Sequence, residues 1–84
     1  MRYKIEIVPS AERQFRKIPS IIQGRITPKI LSLENNPRPF GNQKLRDTSY
    51  YRLRIGDYRI IYAVNDETRM VKILDIGHRR EVYR

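Results

Sequence analysis

Three arginines crowd the stretch "YYRLRIGDYRIIY", residues 50 to 62. Gly56-Asp57 suits a two-residue hairpin turn of the II′ kind, with glycine at the first central position. Counting outward sets Ile55 against Tyr58, Arg54 against Arg59, Leu53 against Ile60 and Arg52 against Ile61. Strand side chains alternate between faces. Tyr51, Leu53, Ile55, Tyr58, Ile60 and Tyr62 therefore share a core face, and Arg52, Arg54 and Arg59 share the other. Like charges directly opposite one another destabilise a sheet, and a hairpin needing only solubility would mix signs. Guanidinium forks bind phosphate oxygens in bidentate fashion, so the cluster reads as a phosphate cradle. The plainer alternative is a solvated face with the arginines splayed apart.

The tail "GHRREVYR" adds donors. His78 ends the last strand, and Arg79, Arg80, Tyr83 and Arg84 follow, all able to donate to or stack on RNA or DNA. A frayed, solvated terminus is the simpler reading of the same residues. Lys44 and Arg46 contribute charge from the preceding loop. Tyr50 and Tyr51 fall one on each face, and covering the sheet explains them more simply than base stacking does. The whole chain agrees with a polyanionic partner: 18 Lys and Arg against 9 acids give +9 over 84 residues, an electrostatic footprint that suits nucleic acid.

Other chemistries are limited by composition. The chain has no cysteine and a single histidine, so a disulfide framework, a thiolate metal site and a zinc site lack their ligands. No cofactor is implied. No apolar run approaches the roughly 20 residues of a membrane span, and no signal h-region opens the chain. A soluble cytoplasmic protein is expected.

The elements that must carry the arginines follow from periodicity. "RYKIEIV" alternates, with Tyr3, Ile5 and Ile7 on one face, as a half-buried strand does. "PSAERQFRKI" sets Ala11, Phe15 and Ile18 at helical spacing, with Ser10 as N-cap and Glu12 in the first turn. "PSIIQGRITPKILSLENNP" reads as a second helix, with Ser20 and Gln23 forming a capping box. Ile22, Ile26, Ile30 and Leu33 make its apolar stripe, and Asn35-Asn36 should end it before Pro37. Pro28 predicts a kink, eased by Gly24 four residues back. "NPRPFGNQKLRD" is a loop, and three strands follow, about Tyr50 to Ile55, Tyr58 to Val64 and Met70 to Ile76. The order β-α-α-β-β-β predicts one α+β domain over residues 1–84, its two N-terminal helices packed on a largely antiparallel four-stranded sheet.

The motifs "NPRP-G--KL", "YR-R-GDYRIIY" and "GHRREVY" at this spacing resemble the RelE/ParE superfamily of toxins from type II toxin–antitoxin pairs. The resemblance covers nearly the whole chain. The RelE branch cleaves mRNA in the ribosomal A site without a metal: the 2′-hydroxyl attacks the adjacent phosphate, leaving a 2′,3′-cyclic phosphate and a free 5′-hydroxyl. The ParE branch shares the fold but poisons DNA gyrase and lacks most of the RNase residues. Carried over by motif, the catalytic arginines fall on Arg59 and Arg79 and the C-terminal tyrosine on Tyr83. The two basic residues of the preceding strand fall on Arg52 and Arg54, and retention of this full set favours the RNase. The rival readings are a ParE-like gyrase inhibitor and a non-catalytic nucleic-acid-binding module. The resemblance also implies partners: a small acidic antitoxin, the ribosome with its mRNA, and operator DNA bound as the toxin–antitoxin complex.

Two departures bear on mechanism. The RelE prototype has lysines where this chain has Arg52 and Arg54. Arginine effectively cannot give up its proton, so these two can grip and neutralise a phosphate but cannot act as the base. Proton transfer is left to Tyr83, to His78, or to water or the ribosome. The prototype also continues as a helix past this tyrosine, whereas this chain stops one residue later.

Overall fold

The computed structural model describes residues 2–78, so Arg79, Arg80, Tyr83 and Arg84 lie outside the described residues. Strand β1 (Lys4–Ile7) leads into helices α1 (Pro9–Arg16) and α2 (Ser20–Ser32). Strands β2 (Gln43–Lys44), β3 (Tyr50–Ile55), β4 (Tyr58–Asn65) and β5 (Met70–His78) follow. The sheet order is β1-β5-β4-β3-β2. The central strand, β4, is dense in β-branched and aromatic residues, which suit a pleated, packed surface. One face of the sheet is sealed by the helices. Ala11, Ile18, Ile26, Ile30 and Leu33 meet Leu53, Ile55, Ile60, Tyr62, Val71, Ile73 and Ile76 in a single core.

The architecture departs from the sequence reading at identifiable places. The sheet has five strands, because Gln43 and Lys44 pair antiparallel with Arg52 and Tyr51. It is largely antiparallel, as expected, with one parallel pair, β1 beside β5, Lys4 beside Met70 through Ile7 beside Ile73. Ser10 does not cap α1: Val8 holds the cap position and Pro9 starts the helix, where a missing N–H costs nothing. Ser20 is likewise inside α2, behind Pro19, and Gln23 forms no capping box. Its amide instead donates to the carbonyls of Phe15 (3.0 Å) and Ile18 (2.9 Å), tying α2 to the end of α1. Helix α2 closes at Leu33, short of the asparagines, and runs as one helix with Pro28 inside it.

Strand β5 outruns its parallel neighbour. Past Ile73 its open edge is managed by α1: the Ile76 N–H donates to Gln14 Oε1 at 3.0 Å, and Gln14 Nε2 donates to Asp75 Oδ1 at 2.6 Å. A side chain thus takes the place of a missing strand, as an exposed edge requires. A bulge near Leu74, between the Ile61–Asp75 and Tyr62–Ile73 pairs, absorbs one extra residue of β5.

Candidate nucleic-acid interface

The β3–β4 hairpin has the register that counting from its turn predicts, from Ile55 beside Tyr58 to Arg52 beside Ile61. Gly56 takes a φ of 60°, while Asp57 is not among the positive-φ residues, which is the II′ pattern. The register orders the face away from the helices into three rows. Arg54, Arg59 and Gly77 form one; Gln43, Arg52, Ile61 and Asp75 the next; Tyr50, Ala63, Lys72 and Glu6 the third.

The three arginines are not equivalent. Arg54 is exposed and Arg52 half-buried, whereas Arg59 is only 2% exposed. Opposed residues of an antiparallel pair have Cβ atoms about 5 Å apart, so two cations share one position across the hairpin at different depths. The sequence reading, which put all three on one open surface, missed that difference. Across β5, the neighbour of Arg59 is Gly77, which places no side chain beside the guanidinium. Arg52 donates to the side-chain oxygen of Gln43 on the adjoining strand, an acceptor that fixes one edge of its guanidinium without cancelling its charge. Gln43 was not legible as a site residue, since it lies in a two-residue strand inside what reads as a loop. Lys44 falls in the same short strand with Tyr51 as its partner, one residue out of phase with Gln43, and Arg46 lies just beyond it.

His78 stands apart from this cluster. It pairs with Tyr58 while Gly77 pairs with Arg59, so alternation puts its ring on the helix side of the sheet. There it packs edge-on against Tyr58, centroids 5.3 Å apart. The strand does not turn after Gly77, and His78 is not brought to the arginines.

A second polar cluster lies on the helix side, at the end of the sheet near the β4–β5 turn. Arg38, from the loop after α2, binds Asp66 through both terminal nitrogens (3.2 and 2.9 Å) and donates through Nε to the Tyr51 hydroxyl at 2.9 Å. Tyr3 donates to the same carboxylate at 2.6 Å. The Arg38 pair, and then the Tyr3 hydroxyl, hold Asp66 below the ordinary carboxylate range, and the bonds to Asp66 and then to the Tyr51 hydroxyl hold the Arg38 guanidinium above its ordinary value. Tyr51 stacks on Tyr62 at 5.7 Å, and the Tyr62 hydroxyl donates to the Pro37 carbonyl at 2.8 Å. Burial raises the Tyr62 pKa. These bonds fasten the loop to the sheet. Among the described residues no group of His, Cys, Asp and Glu is placed to hold a metal, and no helix is long and apolar enough to cross a membrane.

A sequence profile described as "ParE toxin of type II toxin-antitoxin system, parDE" matches residues 5–83. The chain belongs to the RelE/ParE toxin superfamily. Its relatives place it in the RelE-like branch. It is 32% identical to the mRNA interferase toxin RelE of Escherichia coli, over 99% of this chain and 92% of that one. It is 31% identical to Toxin RelE of Mycobacterium tuberculosis, over 98% and 87%. The archaeal RelE–RelB complex from Pyrococcus horikoshii superposes with a TM-score of 0.84 at 33% identity, covering 94% of this chain and 97% of that one.

Proposed function

We propose that this protein is the toxin of a type II toxin–antitoxin pair and an endoribonuclease that cleaves mRNA at the ribosome. The observation that carries the reading is the cluster of Arg52, Arg54 and the buried Arg59 on the hairpin face away from the helices, in a chain whose relatives are named mRNA interferases. In the reaction the 2′-hydroxyl oxygen attacks the adjacent phosphorus and the P–O5′ bond breaks. The attacking oxygen loses its proton, the leaving 5′ oxygen gains one, and a 2′,3′-cyclic phosphate remains. Arg59 and Arg79 stabilise the phosphorane, where preorganised positive charge acts most strongly. Arg52 and Arg54 grip the scissile and flanking phosphates, and Lys44, Arg46, Arg80 and Arg84 add attraction for the strand. Tyr83 is the candidate for proton transfer, because clustered guanidinium groups favour phenolate. The position of His78 across the sheet speaks against it in that role.

Relatives are crystallised with the antitoxin RelB, and a small acidic antitoxin is the partner this +9 chain needs. The working site is the cytoplasm, with operator DNA bound by the toxin–antitoxin complex. The rival target, DNA gyrase, draws support from the ParE description of the matching profile. Induction in cells, with translation and plasmid supercoiling assayed separately, tests the choice. Loss of translation with normal supercoiling supports the RNase, and the reverse refutes it.

A further inference from the structure

Tyr50 and Tyr51 are adjacent tyrosines with opposite surroundings. Tyr51 is held by its neighbours: it stacks on Tyr62, accepts a hydrogen bond from Arg38 and lies under that guanidinium, 5.2 Å from its ring centroid. Tyr50 is 42% exposed, and its side chain makes no hydrogen bond or ring contact among the described residues. Alternation along β3 puts it on the same face as Arg52 and Arg54. The residue opposite is Ala63, and the next across is the exposed Lys72. Strands lie about 4.8 Å apart, so Tyr50 and Lys72 flank a short alanine floor about 9.6 Å wide. Residues alternate along a strand at about 6.8 Å, so this floor lies about 6.8 Å from Arg52 and about 13.6 Å from Arg54.

We propose that Tyr50, Ala63 and Lys72 form a subsite for one nucleotide of single-stranded RNA flanking the phosphate held by the arginines. The base stacks on the Tyr50 ring over Ala63, and the Lys72 ammonium meets a phosphate. The inference rests on the RNA-binding reading of the arginine face. Stacking uses a π-face that every base has, so the subsite accepts all four bases and prefers purines for their larger rings. A bulkier residue at position 63 would fill it.

The test uses a short fluorescein-labelled single-stranded RNA and anisotropy at low salt, with thermal melting of every variant. Tyr50→Thr, which keeps a strand-forming residue, weakens binding about 5- to 150-fold, the range expected on losing one base–aromatic stack. Tyr50→Phe binds as wild type, and Ala63→Leu weakens binding with its fold intact. The chain has no tryptophan, so Tyr50→Trp supplies the sole indole, and its emission is quenched by the RNA but not by one abasic throughout. If Tyr50→Thr binds as wild type while Arg54→Ala binds weakly, the subsite is refuted and the arginine face stands. If neither substitution matters, or wild type does not bind, both fall. If Tyr50→Phe fails as Tyr50→Thr does, the hydroxyl and not the ring is at work, and the stacking claim is overturned.

Discussion

Arg38 and Arg54 carry the same group and have opposite circumstances. Arg38 is held by both oxygens of Asp66 and by the Tyr51 hydroxyl. Arg54 stands exposed, opposite another arginine. The first arrangement neutralises a charge locally and fixes a loop. The second sets two cations opposite one another on neighbouring strands, an arrangement that like-charge repulsion disfavours. On the proposed function, two faces of one small sheet divide the work: the helix side holds the structure, and the arginine side takes an anion. Substitutions on the two sides should separate stability from activity.

The largest effect belongs to the open face. Arg59→Ala should slow the cleavage step about 10²–10³-fold, the range for removing a donor aimed at developing charge, as read in single-turnover assays. Arg54→Ala should weaken RNA binding and reduce the salt slope by roughly 0.7, one single-strand phosphate contact. Being exposed, it should leave stability within about 0.5 kcal/mol. A large melting change in Arg54→Ala would break the division between faces.

On the helix side, Tyr62→Phe removes the donor to the Pro37 carbonyl and should lower stability by about 1 kcal/mol. For a domain of this size that is roughly 4–8 °C in melting temperature, with cleavage unchanged. The Arg38–Asp66 pair adds an acid dependence. A carboxylate whose folded pKa is depressed contributes stability above its unfolded value, near 3.9. That contribution is lost as pH falls through the lower folded value. Asp66→Asn should therefore remove part of the acid sensitivity seen in pH-dependent melting. The smallest effect is expected at Gly24, where an added Cβ would meet nothing within 4 Å outside the helix's own backbone. Gly24→Ala should raise stability by about 0.5–1 kcal/mol through helix propensity.

What was legible in the sequence was local. The turn at Gly56-Asp57 set the whole hairpin register, and alternation then separated Tyr51 from Arg52. Alternation also found β1, but not its neighbour, since parallel pairing with β5 depends on residues more than sixty positions away. Strand β2 is too short for any period to show. Pro9 displaced Ser10 as the start of α1 because proline suits the first turn, a rule that outweighs a serine one residue later. Arg38 gave no signal because its partner Asp66 is 28 residues distant. The burial of Arg59 was hidden for a different reason. Residue type and alternation assign a face but say nothing of depth within it.

The most direct test of the phosphate cradle is single-turnover cleavage of mRNA on programmed ribosomes, wild type against Arg59→Ala, with the 3′ ends of the products analysed. Wild type should leave 2′,3′-cyclic phosphates, and Arg59→Ala should bind ribosomes yet cleave at least about 10²-fold more slowly. Cleavage by Arg59→Ala at the wild-type rate, or no cleavage by a wild-type protein that inhibits gyrase, would contradict the account.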